Sequence, residues 1–480
     1  MGGAAILSMF FGLLKTKYAA LLFGAYGVGM IGGFAAVMGV ASAIATLGIP
    51  ASSVRKLAKA HLIDDYTEVG RIAVTLKRAC VVSGLISMLI LMLMSNNLSQ
   101  VTFQTDKYGI DICIIALAIF FMNLGLGNIA LLQGLRKVAD VARVTVFTAF
   151  IGTLVTIILY HSIGERAIAP ALACVALLQL GFSELLVRKL SLEKVYVSWV
   201  HSSVEAASLS RLGFSIMFSA LSASGVSYIT VLLISREYGL ASVGINNAAF
   251  ALSGMFVGFI LNAMSTDYYP RLSEQVGNNR AMNSQVNEQT EIGILLSLPG
   301  LLGTLIFAPQ LVDIFYSEQF QPAVELIQLF ILGCFSRIIA WPIGFVMLAL
   351  DRAKLFLVTE VLFFSLQIVI IYYFLHFFNL SGVALAYAII FLLLIFWNFL
   401  VARRLTGFSW EVGPLKLMLL SLSVILLVLF IIKLDAYSSD ILLFLILLGT
   451  SSFCLFEISK RLGSEHALSK FLRRIFCQRL

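Results

Sequence analysis

The chain has 480 residues, 60% of them hydrophobic and 12% charged, and a mean hydropathy of +0.99. A soluble domain is roughly a quarter charged, so this composition excludes a water-solvated globule and points to a bilayer. The net charge of +8 does not imply nucleic acid, because basic residues collect in the cytoplasmic loops of membrane proteins.

A membrane span needs about 20 mainly apolar residues. In chain order, the apolar runs predict helices over 4–24, 28–49, 77–96, 111–133, 140–161 and 167–187. They continue over 211–234, 242–264, 291–311, 323–350, 353–377 and 381–402, and close with 415–433 and 440–459. The first run has no basic start and no cleavage site, so it reads as a span rather than a signal peptide. The expected fold is all-α integral membrane with about 14 transmembrane helices.

One set of alternate loops carries Arg55, Lys56, Lys59, Arg71, Arg136, Lys137, Arg188, Lys189, Arg271, Arg352, Lys354, Arg403 and Arg404. The other set carries only Lys107, Arg166, Arg236 and Lys433. The positive-inside rule makes the first set, and with it both termini, cytoplasmic.

The chain also repeats itself. Gly24-Ala25-Tyr26-Gly27-Val28-Gly29 aligns with Gly239-Leu240-Ala241-Ser242-Val243-Gly244, His161 with His376, and Arg188-Lys189-Leu190 with Arg403-Arg404-Leu405, all at an offset of 215. Six spans per copy give both copies the same orientation, so the reading is two pseudo-symmetric six-helix lobes about an axis along the membrane normal. The domains are then an N-lobe over 1–190, a cytoplasmic interfacial linker over 191–210 and a C-lobe over 211–405. An extra helix pair over 406–460 and a basic amphipathic tail over 461–480 follow. In the linker, Tyr196, Trp199, Val200 and Val204 share one helical face. In the tail, Leu468, Phe471, Leu472, Ile475 and Phe476 do the same, with Lys470, Arg473, Arg474 and Arg479 on other faces. That tail suits an anionic leaflet or plain solvent.

The six cysteines include no C-x-x-C pair, and no disulfide, metal or cofactor is expected. No P-loop, G-x-S-x-G or H-E-x-x-H occurs, and the longest outward loop, about 96–110, leaves little room for catalysis. The reading is a transporter, not an enzyme. A charge at the centre of a span costs at least about 2.5–3.5 kcal/mol, so the polar residues within spans are the candidate site. They are Lys15 and Lys17 in the first helix, Arg337 in the tenth and Glu360 in the eleventh, with Asn123 and Asn247 as uncharged candidates. The repeat partners of the four charges are Thr230, Leu232, Met122 and Thr145. None is charged, so the charges are additions to a shared scaffold. Lys15 and Lys17 point to nearly opposite faces; Lys15 is assigned to a cavity, and Lys17 is read as a second cation or as a side chain snorkelling outward. Arg337 reads as a cavity cation or as the structural partner of Glu360, and Glu360 as a coupling acid or as that partner. Asparagines in spans also serve as glue between helices. Fixed cations imply an anionic cargo, and a diphosphate suits both lysine and the forked arginine.

The run Phe315-Tyr316-Ser317-Glu318-Gln319-Phe320-Gln321-Pro322-Ala323, then Arg337-Ile338-Ile339-Ala340-Trp341-Pro342, then Asp351-Arg352-Ala353-Lys354 and Glu360, resembles bacterial O-antigen translocases of the Wzx type. Gly24–Gly29 and Gln133-Gly134-Leu135-Arg136 fit as well, and the resemblance covers about residues 1–405. It implies the multidrug/oligosaccharidyl-lipid/polysaccharide exporter fold in the bacterial inner membrane. It also implies a cargo of undecaprenyl-diphosphate-linked oligosaccharide, carried from the cytoplasmic to the periplasmic leaflet by alternating access. The expected partners are that cargo, a proton or sodium gradient, anionic membrane lipids and a polysaccharide polymerase, with no nucleic acid. Fourteen spans are closer to the lipid II flippases, but the first helix lacks their several arginines. A lipid II flippase and a drug or metabolite exporter of the same fold are the alternatives.

Overall fold

Apolar runs separated by short polar turns can satisfy their backbone in lipid only as helices, and the computed structural model, which describes residues 2–190, 192–193, 195–434 and 439–461, contains fifteen α-helices and no strand among them. They are α1 (Gly2–Thr46), α2 (Ile49–Leu62), α3 (Tyr66–Leu93), α4 (Ser95–Phe103), α5 (Gly109–Gly134), α6 (Val138–Ile163), α7 (Ile168–Val187) and α8 (Trp199–Glu274). The remainder are α9 (Asn279–Ile306), α10 (Ala308–Phe315), α11 (Ala323–Ala349), α12 (Ala353–Phe378), α13 (Ser381–Thr406), α14 (Val412–Leu434) and α15 (Ser439–Arg461).

Eleven helical stretches are long and apolar enough to cross a membrane. Three of them hold two segments each: α1 breaks at Gly24, α8 breaks at Gly239, and α6 joins α7 through the 3-10 turn Gly164–Ala167. That makes fourteen segments, in agreement with the sequence. The chain is a multi-pass membrane protein, and large apolar side chains such as Leu93, Ile110 and Ile441 stand exposed where lipid would cover them.

The repeat is written in the backbone as well as in the letters. Positive φ occurs at Gly24 and Gly239, at Arg136 and Asp351, and at Gly164 and Asn379; each pair is separated by 215 positions. Side chains rarely adopt this region, so its recurrence at non-glycine positions marks turns that the fold imposes. Helices α3 and α9 start at Tyr66 and Asn279 rather than at the predicted 77 and 291. Asp65 caps the first by accepting from the Glu68 N–H at 2.9 Å, and Asn278 caps the second by accepting from Ala281 N–H at 3.1 Å. Hydropathy registers only the lipid-length part of each helix, whereas the cap sets where it begins.

Helix α8 begins at Trp199, so the later part of the predicted linker is continuous with the seventh span. Arg78 holds this start: its guanidinium donates to Val197 O at 2.8 Å and Ser202 Oγ at 2.9 Å and sits 4.5 Å from the centre of the Trp199 ring. Trp199, Val200 and Val204 are exposed on α8, whereas Tyr196, predicted on the same helical face, is exposed but precedes the helix. The predicted amphipathic tail lies outside the described residues.

Contacts divide the chain into two compact units. The first comprises residues up to Asn247 with Ile314–Gln319 and Glu360–Ile368. Within it α5 packs on α3 and α7, and α1 on α6, with Leu57, Ile72, Leu76 and Leu131 in one core cluster. Gly134 lets that cluster close, since a Cβ there would fall 2.4 Å from the Leu57 side chain. The second unit comprises Ala248–Asp313, Phe320–Thr359 and residues from Val369 on. Within it α11 packs on α13 and α9, and α14 and α15 both pack on α9. Glu291 of α9, nearly buried, pairs with Arg461 at the end of α15. Its carboxylate also lies against Gly413 at the start of α14, where a Cβ would meet Oε1 at 2.4 Å. One carboxylate thus pins both members of the extra pair.

Candidate functional site

Lys15 lines a cavity of about 260 Å3 in the first unit. Helix periodicity puts Ser8, Gly12 and Lys15 on one face of α1, and the facing stretch of α6 contributes Thr145, Thr148 and Gly152. Gln179 of α7 completes the polar wall. No carboxylate lines the cavity. Among the described residues the Lys15 amino group has no hydrogen-bond or ion-pair partner, and the buried Thr148 hydroxyl also lacks one. Threonines in helices usually satisfy themselves on a carbonyl one turn back, as Thr145 does on Val141 O at 2.9 Å.

Lys17 turns the other way, as its two-residue spacing from Lys15 requires. Its Nζ donates to the Tyr316 carbonyl, in the Ile314–Gln319 segment of the same unit. The neighbouring Gln319 Oε1 accepts from Ala25 N–H at 3.2 Å and lies where a Cβ at Gly24 would be, 2.3 Å away. The break in α1 is therefore held from outside the helix.

Arg337, in the second unit, is packed among aromatic rings. Its Nη1 donates to the Tyr387 hydroxyl at 3.4 Å, and its guanidinium lies 5.8 Å from the centre of the Phe391 ring. Gly333 provides the space for Tyr387, because a Cβ there would fall 2.3 Å from the ring. No carboxylate ion-pairs with Arg337 among the described residues. Glu360 belongs to the first unit. It is hydrogen-bonded with the Ser219 hydroxyl, while its Oε2 is buried with no partner. Arg337 and Glu360 thus each have other neighbours than the ion-pair reading gave them.

The two asparagines sit in packing seams. Asn123, 1% exposed, donates from Nδ2 to Cys80 O at 2.9 Å and Ser83 Oγ at 3.0 Å, tying α5 to α3. The Asn247 amide lies against Gly32 of α1, where a Cβ would approach Nδ2 to 1.9 Å. The site residues that sequence reading passed over are Thr148 and Tyr387. Thr145, Thr148 and Gly152 at i, i+3 and i+7 form a readable small and polar stripe, but nothing in the letters pairs residue 387 with 337.

Comparison with known proteins gives a consistent set of likenesses. The sequence profile described as polysaccharide biosynthesis protein matches residues 21–325. The lipid III flippase of Escherichia coli (strain K12) is 22% identical over 381 residues, covering 78% of this chain and 90% of that protein. Among solved structures, a lipid II flippase, MurJ, in an inward closed conformation superposes with a TM-score of 0.71 at 15% identity, covering 95% of this chain and 98% of that one. An inward-facing multidrug resistance transporter of the MATE family superposes with a TM-score of 0.68 at 17% identity, over 83% and 94% of the two chains. At these identities the superpositions speak for the fold alone.

Proposed function

The chain belongs to the polysaccharide biosynthesis protein family, and from that premise we propose that it is a flippase for a lipid-linked saccharide within the multidrug/oligosaccharidyl-lipid/polysaccharide exporter superfamily, a transporter and not an enzyme. The observation that carries the reading is a pair of cations inside spans, Lys15 and Arg337, neither of which has a carboxylate partner among the described residues. A buried charge without a counter-charge is costly, and an anionic cargo supplies what each lacks. The likeness to a lipid III flippase supports a lipid-borne cargo, which we take to be a saccharide on a polyprenyl diphosphate.

In its finer form the reading is an inner-membrane protein with both termini cytoplasmic. It moves undecaprenyl-diphosphate-linked O-antigen or a related repeat unit to the periplasmic leaflet by alternating access, for a polysaccharide polymerase to use. Arg337 holds diphosphate oxygens through its fork. We assign the coupling proton to Glu360, a carboxylate within a span whose Oε2 is buried without a partner. An exporter of organic cations would need an acidic pocket, and the cavity at Lys15 contains no acid.

The test is sidedness. Purified protein in vesicles with polyprenyl-diphosphate-linked oligosaccharide should equalise the cargo between leaflets. Arg337→Ala at matched folding should slow this at least tenfold, and Glu360→Gln should flatten its dependence on pH. Wild-type vesicles that leave the cargo where it was loaded would end the flippase reading.

A further inference from the structure

The two unpaired cations differ in their surroundings, and the difference bears on which part of the cargo each one meets. Arg337 is enclosed by Tyr387 and Phe391, a setting with a forked donor and few acceptors. The cavity at Lys15 is mixed. Its donors are the Lys15 amino group, the Thr148 hydroxyl and the Gln179 amide. Its acceptors are the oxygens of Ser8, Thr145 and Thr153. These hydroxyls already donate to Ala5 O, Val141 O and Phe11 O and so keep only lone pairs to offer. The remaining walls are apolar, with Ile129, Val144 and Val175.

A diphosphate matches that cavity poorly. It presents acceptors only, so it would leave the three committed hydroxyls without donors, and it has no apolar surface to set against the valines and isoleucine. A sugar ring has hydroxyls that both donate and accept and C–H faces that pack on aliphatic side chains. The cavity, with a volume of about 260 Å3, has room for one ring. A neutral ring would leave the Lys15 charge unanswered. We infer that the Lys15 cavity is a seat for one acidic sugar of the cargo, a pyranose bearing a carboxylate, while the diphosphate is met at Arg337. The inference rests on the flippase reading for its cargo and on the cavity for its chemistry.

The experiment uses the full chain in lipid nanodiscs, with thermal unfolding followed against millimolar glucuronate, glucose or inorganic diphosphate. Glucuronate should raise the midpoint of the wild type, and glucose should raise it less. The glucuronate response should vanish in Lys15→Gln, weaken in Thr148→Val and persist in Lys15→Arg, whose retained response also reports an intact fold. The diphosphate response should survive Lys15→Gln and vanish in Arg337→Ala. A diphosphate response lost with Lys15→Gln would make Lys15 a head-group cation and overturn the assignment, as would a glucuronate response that glucose equals. Vesicles in which the wild type equalises cargo but glucuronate has no effect would remove the sugar seat and leave the flippase. A glucuronate response without cargo movement would remove the flippase and leave the seat.

Discussion

Replacing Asn123 by alanine separates a packing role from a cargo role at a residue whose chemistry permits either. The side chain is 1% exposed, and its amide makes two good bonds to α3, at 2.9 and 3.0 Å. A third donor–acceptor distance, 3.5 Å to Ala45 O, adds little. Hydrogen bonds between helices in membranes average about 0.6 kcal/mol and reach about 1.7, so two of them contribute about 1–2 kcal/mol. The buried Oδ1 has no partner, and its removal relieves a desolvation cost that partly offsets the loss. Asn123→Ala should therefore destabilise the protein by about 1–2 kcal/mol in reversible unfolding in bicelles. A double-mutant cycle with Ser83→Ala should return a coupling of about 0.5–1 kcal/mol. Cargo affinity, measured by the diphosphate and glucuronate responses, should not move. Unchanged stability combined with a weakened cargo response would refute the packing argument and return Asn123 to the binding site.

A methyl on Gly29 would sit 1.8 Å from Leu240 O, and one on Gly244 would sit 2.1 Å from Ala25 O; each alanine should cost about 1–3 kcal/mol by overpacking. The double variant should cost less than the sum, because separating the helices once makes room for both, and thermal midpoints of the three variants check this. Arg461→Ala leaves the carboxylate of Glu291 nearly buried and unpaired. Because the arginine side chain is 35% exposed, the expected loss is about 1–3 kcal/mol rather than the larger value for a fully buried pair. Hydrogen exchange in α15 should rise, and adding Glu291→Gln should restore most of the protection. Thr145→Glu puts a carboxylate into the cavity of Lys15 and should abolish the glucuronate response as completely as Lys15→Gln, whereas Thr145→Gln should retain it. A Thr145→Glu protein that still responds would mean that the two side chains do not share the ligand's space.

The number of spans was legible because lipid thickness converts directly into run length, and fourteen runs became fourteen segments. What the letters concealed was how the runs join. A single residue with positive φ turns α1 at Gly24, whereas the predicted boundary at 211 proved to lie inside the continuous helix that runs from Trp199 to the break at Gly239, since a cap or break is a local event that hydropathy averages away. Lys15 stood out because a charge in a span is expensive, but its surroundings did not, since Thr148 and Gln179 come from helices whose rotation about their own axes only packing fixes. The setting of Arg337 was hidden for a similar reason. Tyr387 reaches it because Gly333 lets α11 and α13 approach closely, and a glycine in an apolar run does not announce which neighbour needs the space.

The duplicated scaffold carries chemistry that is not duplicated, and the seams show how. In the first copy α1 and α6 bring Lys15 and Thr145 to one cavity. The corresponding positions in the second copy are Thr230 and Glu360, on α8 and α12, whose approach is marked by the Ser219–Glu360 hydrogen bond. The cation of one copy thus stands where the other has a hydroxyl, and the acid of the second stands where the first has a hydroxyl. Both threonines satisfy themselves on their own helices, Thr145 on Val141 O and Thr230 on Val226 O, so the neutral half of each seam makes no electrostatic demand. Had one copy received both charges, lysine and glutamate would have neutralised each other and left nothing for a ligand. Divided between copies, the same two residues give one seam an unanswered positive charge and the other an unanswered acid. On the proposed reading, anion binding and proton binding are then separated on a backbone that repeats its positive-φ turns at three paired positions.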